Sequence, residues 1–455
     1  ASLANGGPAL VAVLGVTGVA IVARFVRPAV GAGAAAMGAL VVVHGTGATW
    51  WLRNGMESSV VVLALSMLLV ALGRFDRSRD RRSALLVGVA CGVIVLARMD
   101  FAVVLAVVPV VLALRLRQWW PGVRWAVGAA IVAGPVLLWE VLSFGHLLSV
   151  SGTVKLADTT HAADEQWGGL LTSGYLAHVG RATIDFVRSI AEDVGGSTAG
   201  SGGGAVGHLF VVLGVVGCVR LVRRRRREGE ARAVGGDARG GATEANGIAF
   251  AVATVVGIVV AKTVVDLVLL PAWAAAWYSP PMRVAVGMAL GIGTWELVTT
   301  AARMGGRRAL ALAGAAVLLL ALPVGAWDRS AASAERDGSW QQTLDLAADW
   351  VLAEGPEGRY GAFDAGLLGY RLDGERDVVN LDGLVNDYEY ARLLRDRPDI
   401  RTLVAHEDVD VLVNRLSEAE RAELDCARPL WRSHEPVPYD GTTAYVYGLD
   451  VRECR

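Results

Sequence analysis

The sequence predicts a polytopic α-helical membrane protein of about ten spans, followed by a C-terminal extracytoplasmic α/β domain. Of the 455 residues, 54% are apolar and 19% are charged. The apolar residues form long blocks separated by arginine clusters, whereas a soluble core scatters them. Near residue 328 the blocks give way to a mixed polar pattern. The chain therefore divides into a multi-span membrane domain, 1–327, and a soluble domain, 328–455.

Ten apolar blocks define the predicted spans. Most are roughly 16 to 25 residues long, close to the ~20 with which a helix crosses the hydrocarbon core. The blocks are residues 9–24, 30–48, 58–73, 83–98, 101–115, 125–143, 207–222, 247–271, 282–301 and 307–326.

Arginines at alternate span ends set the orientation. They include Arg24, Arg27, "GRFDRSRDRRS", "RLRQWWPGVR", Arg223–Arg227 and "RMGGRR". Because basic loops stay on the cytoplasmic side, these ends and the loop 223–246 are predicted to be cytoplasmic. The segment 144–206 and the tail then face outward, on a multi-pass protein of the cell membrane. This orientation also places Ala1 outside, so we expect an upstream span and outward loop ahead of it.

The tail alternates helical and extended patterns. "SWQQTLDLAADWVLAE" and "DYEYARLLRDRP" have helical spacing, and "RYGAFDAGLLGY", "RDVVNLDGLVN", "VDVLVN" and "TAYVYGL" indicate short strands. Together they predict a small α/β domain. Cys426 and Cys454 lie in this outward tail, where disulfides persist, so they are a candidate disulfide.

Charged residues at the outward span ends are candidates for chemistry. Glu57 directly precedes an apolar run, where it either caps the N-terminus of a helix or belongs to a functional site at the membrane surface. Arg98 and Asp100 form an outward turn between two spans. They are either turn residues, or Arg98 offers a forked hydrogen-bond donor to a phosphate and Asp100 orients that phosphate or a sugar hydroxyl. Lys155, after a Ser/Gly/Thr-rich stretch, is either a solvated lysine or a phosphate ligand.

Two further features lie in the late spans. Arg283 follows "WYSPP" just inside a span and is placed to face a lipid phosphate. Lys262 and Asp266 are one helical turn apart within a span, where each reduces the cost of burying the other. Such a pair either snorkels outward or serves a function in the membrane.

Other chemistries find no support in the sequence. It contains no P-loop, no dinucleotide-binding glycine fingerprint, no zinc spacing of Cys and His and no nucleophile elbow. The seven histidines are scattered, so no metal site and no nucleic-acid partner are predicted.

Five stretches, in order along the chain, resemble the GT-C class of integral membrane glycosyltransferases, and within it polyprenyl-phosphate-sugar enzymes such as the mycobacterial terminal arabinofuranosyltransferases. "NGMESS", "LARMD" and "WYSPP" are similar to elements at span ends of that group, and "FDAGLLGYRLDGERDVVNLDGLVN" to a paired element of its outward domain. "VSGTVK" keeps the lysine of a further element but lacks its proline and aromatic residue.

The resemblance implies an enzyme that moves a sugar from a polyprenyl phosphate to a cell-envelope glycan or lipid acceptor on the outer face. Glu57, Arg98, Asp100, Lys155, Tyr278 and Arg283 would then form the donor and phosphate site. The catalytic acid of the class lies in its first outward loop, which we expect upstream of Ala1. No cofactor is firmly implied, although a divalent cation is compatible with the class. In the tail, Asp364 and Asp382 are interpreted as turn residues.

Two other functions stay open at this point. A transporter or flippase of lipid-linked sugars also needs many spans and intramembrane charges, with Lys262 and Asp266 as its coupling pair. No internal repeat of the span pattern supports it. The third interpretation is a non-catalytic membrane partner in cell-envelope assembly.

Overall fold

The computed structural model describes fifteen stretches of the chain. They are residues 2–45, 58–116, 120–146, 150–170, 172–195, 212, 215–221, 223–224, 239–269, 279–303, 342–363, 365–382, 387–396, 398–439 and 442–454. The chain forms two compact units. Unit 1 comprises Ala1–Leu147 and Gln166–Ser330, and unit 2 comprises Leu148–Glu165 and Ala331–Arg455. The predicted boundary near residue 328 is close to that at 330, but the sequence did not indicate that residues 148–165 belong with the tail.

Unit 1 is helical throughout its described part. Its helices are α1 Ser2–Val30, α2 Ala32–Gly45, α3 Ser58–Ser78, α4 Arg81–Ala97, α5 Val103–Leu116, α6 Trp120–Phe144, α8 Ser173–Gly195, α9 Arg239–Leu269 and α10 Pro280–Arg303. Helix α7, Val150–Trp167, precedes α8 and lies mostly in unit 2. A single 3-10 turn, Met99–Ala102, joins α4 to α5.

Four helices of the described part are long and apolar enough to cross a membrane. They contain the segments Leu10–Val30, Ser58–Ser78, Gly122–Phe144 and Gly247–Leu269. The other described helices at predicted spans are not among these four, and the predicted span 307–326 lies outside the described residues. The structure thus shows a helical protein with four candidate spans, and the number of about ten stays a prediction.

The predicted outward segment 144–206 is largely helical where the structure describes it. Helices α7 and α8 occupy most of its described part. The polar "VSGTVK" forms the first turns of α7, because the Ala- and Glu-containing residues that follow favour a helix. The glycine-rich run after residue 195 lies outside the described residues.

Glycines allow the helices of unit 1 to pack closely. Gly88 and Gly92 of α4 are four residues apart and face α6. A Cβ atom on Gly88 would lie 2.0 Å from the carbonyl oxygen of Trp125, and one on Gly128 would lie 2.4 Å from that of Leu85. Small residues at this spacing are typical of helix contacts in membranes, where close backbone approach supplies the packing energy.

Unit 2 contains a mixed sheet with helices along the chain between its strands. The strands are β1 Arg359–Ala362, β2 Asp377–Asn380, β3 Val411–Ser417, β4 Arg428–Arg432, β5 Val437–Tyr439 and β6 Thr442–Asp450. The helices are α11 (residues 342–353), α12 Gly366–Leu372, α13 Tyr388–Arg395, α14 Ile400–His406 and α15 Glu418–Glu423. The strand order is β2-β1-β3-β6-β4, with β5 paired to β6. Strands β2 and β3 run parallel to β1, whereas β6 is antiparallel to β3.

The strands and helices of unit 2 follow from local signals. Strand β3 begins within the predicted stretch "VDVLVN", and its side chains Val411, Leu412 and Val413 are all fully buried. Buried strand residues on both faces indicate that helices cover both faces of the sheet. Helix α15 begins with a capping box, in which Ser417 and Glu420 satisfy each other's backbone N–H groups. The structure also joins Cys426 and Cys454 in a disulfide.

Candidate functional site

A charged network lies where α4 turns into α5. Arg98 ends α4 in an extended conformation and donates its backbone N–H to Ile94 O. The 3-10 turn that follows carries Asp100 and buries Phe101. The sequence predicted a turn at "LARMD", and this turn brings the Arg98 and Asp100 side chains together.

Arg98 donates two hydrogen bonds to Asp100. Its Nε lies 3.1 Å from Asp100 Oδ1, and its Nη2 lies 3.1 Å from Oδ2. This parallel fork is the strongest geometry between a guanidinium and a carboxylate. Arg98 therefore orients a carboxylate of its own turn, whereas the sequence interpretation reserved its fork for a phosphate.

Lys262 of α9 completes the network. Its Nζ lies 2.9 Å from Asp100 Oδ2 and also donates to Asp266 Oδ1, one turn further along α9. The side chains of Lys262 and Asp266 are only 2% and 4% exposed. The ammonium also lies 5.1 Å from the centre of the Phe101 ring, which attracts a cation through its negative face. Lys262 thus links a span to the turn between two other helices.

The four charges balance and differ in exposure. Two cations, Arg98 and Lys262, meet two carboxylates, Asp100 and Asp266. A buried charge is tolerable when it is paired and hydrogen-bonded, and this network satisfies both conditions. Asp100 has 27% of its side chain exposed and Arg98 has 10%, so these two are the network's accessible members. We call the four residues the charge network.

Burial raises the pKa of Asp100, but the charges and hydrogen bonds of Lys262 and Arg98 outweigh it, so the pKa lies below its ordinary value. Asp100 is therefore ionised at neutral pH. A carboxylate with a low pKa accepts hydrogen bonds well but is a weak general base. The arrangement suits binding of a hydroxyl or a cation better than proton removal.

Arg283 is a buried cation on the first turn of α10. Its side chain is 3% exposed, and its Nε donates a 2.8 Å hydrogen bond to Ser279 Oγ. Ser279 directly precedes the helix, so the bond fixes Arg283 at the helix start. The sequence placed Arg283 just inside a predicted span. The structure places it on the first turn of a helix, and its position in a membrane span stays a prediction.

The structure does not test whether the other predicted site residues join the network. Glu57 and Tyr278 lie outside the described residues. Lys155 is half-buried on the second turn of α7 and belongs to unit 2, whereas the charge network belongs to unit 1. Among the described residues, no group of three or more His, Cys, Asp or Glu side chains could hold a metal ion.

A second ion pair joins Arg224 to Glu296 of α10. Arg224 Nη1 is 2.7 Å from Glu296 Oε1; the Glu296 side chain is 7% exposed and that of Arg224 is 31% exposed. Arg224 is the second residue of the arginine run predicted to be cytoplasmic, and the pair connects this residue to α10. The sequence did not indicate Glu296.

The helices and the charge network define a helical membrane protein that carries a separate α/β unit. No protein-family model and no curated protein matches the chain. Two crystal structures of ArnT from Cupriavidus metallidurans are similar to it at 15% identity: one bound to undecaprenyl phosphate, with a TM-score of 0.37, and one in the apo state, with 0.38. Each comparison covers 97% of this chain and 83% of ArnT. Similarity of this size does not establish a shared activity.

Proposed function

We propose that the protein is a membrane glycosyltransferase that moves a sugar from a polyprenyl phosphate to a cell-envelope glycan or lipid acceptor. The ordered motifs of the sequence support the class, and the charge network supports the site. One of the similar ArnT structures is bound to undecaprenyl phosphate, which is a polyprenyl phosphate.

The observation that carries the proposal is the Arg98–Asp100 pair in the α4–α5 turn, where 10% of the Arg98 side chain and 27% of the Asp100 side chain are exposed. The pair brings a guanidinium and an ionised carboxylate together in one turn. A sugar phosphate presents the complementary groups, an anionic oxygen and neighbouring hydroxyls. Charge-assisted hydrogen bonds of this kind are about twice as strong as neutral ones.

In the proposed reaction, an oxygen of the acceptor attacks the anomeric carbon of the sugar. The bond from that carbon to the phosphate oxygen breaks, and the polyprenyl phosphate leaves with the electron pair. Arg98 and Arg283 stabilise the negative charge that develops on the phosphate. Asp100 accepts a hydrogen bond from a sugar hydroxyl and holds Arg98 in place. A base must take the proton of the acceptor, and we assign that role to no described residue, because the low pKa of Asp100 makes it a poor candidate.

The position of the reaction follows from the predicted orientation. The arginine-rich ends of the spans are predicted to be cytoplasmic, which places the α4–α5 turn and the C-terminal end of α9 on the outer side. The α/β unit would then be an extracytoplasmic scaffold or acceptor domain, and Lys155 a second phosphate ligand. Glu57 and Tyr278 keep the donor-site roles that the resemblance implies.

Donor binding by Arg98 variants tests this proposal. Full-length protein in nanodiscs is titrated with a fluorescent polyprenyl phosphate sugar. Arg98→Ala should weaken binding about 10- to 100-fold, because a charge-assisted contact is lost. Arg98→Lys should recover only part of the loss, since it keeps the charge but not the fork. Arg188→Ala is the matched control, because Arg188 is a solvent-exposed arginine of unit 1. Unchanged binding by both Arg98 variants would overturn the proposed site.

Transport is the second candidate, and the burial of Lys262 with Asp266 favours it. Ionisable pairs inside a span are typical of proton-coupled carriers. The ion pair between Lys262 and Asp100 connects the buried Lys262–Asp266 pair to the partly exposed α4–α5 turn. Proton-driven movement of a polyprenyl phosphate sugar across proteoliposomes, without sugar transfer, would select this function over the first.

A further inference from the structure

Helix α8 has three different faces. Tyr175 and Phe186 are buried against the protein. Leu176, Ile184 and Val187 share another face, and each is more than half exposed. The third face is charged, with Arg181, Asp185 and Arg188 exposed. A large apolar surface facing water is rare in a protein, so this face requires a cover.

The buried face shows how α8 lies on the bundle. Tyr175 Oη donates a 2.6 Å hydrogen bond to the carbonyl oxygen of Val268, near the end of α9. Phe186 packs against Leu267, the residue before it. Tyr175 and Phe186 are 11 residues apart along α8, or about 16 Å. In two helices that run side by side, widely spaced residues of one contact equally widely spaced residues of the other. Tyr175 and Phe186 instead contact adjacent residues of α9, so α8 crosses the end of α9.

Contacts with α10 support the same crossing. Ala182 of α8 and Met282 and Val286 of α10 pack around Phe186 and Leu267. Met282 and Val286 occupy the first turns of α10, which is also an end of that helix. Helix α8 therefore lies across the last turn of one helix and the first turns of the next, where the hydrocarbon region of a membrane gives way to headgroups.

We propose that α8 lies along the membrane surface, with Leu176, Ile184 and Val187 in the acyl chains of the leaflet that contains the C-terminal end of α9. The span Gly247–Leu269 ends beneath it, which fixes its depth. Although 23 residues long, α8 is not among the described helices apolar enough to cross the membrane. An apolar face beside a charged one is the arrangement of helices that lie in the interface, where the charged face meets headgroups.

The proposal does not depend on the proposed function. It requires only that α9 spans the bilayer, and it identifies lipid as the partner of the exposed apolar face. A protein partner on this face and a water-exposed helix are the alternatives that the experiment must separate.

Spin labels at single cysteines test the proposal in the full-length protein in nanodiscs. The free cysteines Cys91 and Cys218 are first replaced by alanine. Labels at Leu176, Ile184 and Val187 should collide more often with oxygen, which concentrates in acyl chains, than with a water-soluble nickel complex. Labels at Arg181 and Arg188 are the matched controls on the charged face and should show the reverse.

Two results would overturn the proposal. High nickel accessibility on both faces would show that α8 stands in water, and low accessibility to both reagents on the apolar face would show a protein cover. If the cysteine variants fail to fold, the unmodified protein in the same lipid is labelled with a lipid-phase diazirine. Peptide mapping should then place the label on the apolar face of α8, and label confined to the charged face, or absent from α8 while α9 is labelled, would contradict the proposal.

Discussion

Substitution of Lys262 should show how much the pairing of Lys262 with Asp266 contributes to the free energy of unfolding. Lys262→Met leaves Asp266 buried without its cation, because the side chain of Asp266 is only 4% exposed. Breaking a buried ion pair in this way costs about 3–5 kcal/mol. Asp266→Leu should cost less, about 1–3 kcal/mol, because Lys262 keeps Asp100 at 2.9 Å.

The double variant gives the decisive comparison. Lys262→Met with Asp266→Leu removes both charges and fills their place with apolar side chains, which is often nearly neutral. The double variant should therefore be more stable than Lys262→Met alone, with a coupling energy of at least about 2 kcal/mol. Asp100 keeps its two hydrogen bonds from Arg98 in every variant.

The assay is reversible unfolding in mixed micelles by titration with sodium dodecyl sulfate, followed by far-UV circular dichroism. Val264→Ala is the control, because Val264 is an exposed residue of the same helix and should change the free energy of unfolding by less than about 1 kcal/mol. Additive effects of the two network substitutions would refute the pairing of Lys262 with Asp266.

Three other predictions concern packing, the disulfide and pH. Gly88→Ala should lower the free energy of unfolding by about 1–3 kcal/mol, because the added Cβ would clash with a backbone carbonyl. Gly122→Ala should not lower it, because Gly122 has open space around it. Equal effects of the two substitutions in the same titration would contradict the close packing of α4. Cys426→Ser should destabilise unit 2 by about 3–4 kcal/mol, since the bridge closes a loop with a sequence separation of 28; proteolysis of the tail measures this, and unchanged resistance would refute it. Burial and Arg181 lower the pKa of His178 in the folded state. The neutral form therefore stabilises the folded state at pH values above the ordinary His pKa of about 6.5, and this stability is lost as the pH falls below about 6.5. His178→Gln should flatten the pH dependence of thermal unfolding in this range, and an unchanged profile would contradict the shift.

The helices of unit 1 could be predicted because their apolar blocks are long and uninterrupted. The blocks mark only the residues suited to lipid, so the helices extend beyond them, as α1 does from the predicted 9–24 to Ser2–Val30. Helix α8 was missed, although Tyr175, Val179, Ala182 and Phe186 follow helical spacing on its inner face. Exposed apolar residues and charges lie between these positions, so the inner face does not form a continuous apolar block of the kind that marked the spans.

The charge network shows where prediction from local pattern ends. Lys262 and Asp266 are one helical turn apart, so spacing alone indicated this pair. Spacing indicated a turn at Arg98 and Asp100, but not the ion pair between them. The bond from Lys262 to Asp100 joins residues far apart along the chain, and it depends on how α9 packs beside the α4–α5 turn. In unit 2, the patterned strands β1, β2, β3 and β6 were predicted, but the second half of "RYGAFDAGLLGY", which the sequence indicated as strand, forms helix α12. Strands β4 and β5 were not, since Pro429 and Pro438 interrupt their short patterns.

Sugar transfer itself tests the central claim most directly. The full-length protein in proteoliposomes is given a radiolabelled polyprenyl phosphate sugar and cell-envelope glycan fragments, beside the variant Asp100→Asn. We predict label in the glycan with the unmodified protein, and a loss of about 10²–10³-fold with Asp100→Asn, as expected when a group that organises the transition state is removed. Donor that binds but is never transferred, or equal transfer by Asp100→Asn, would contradict the account.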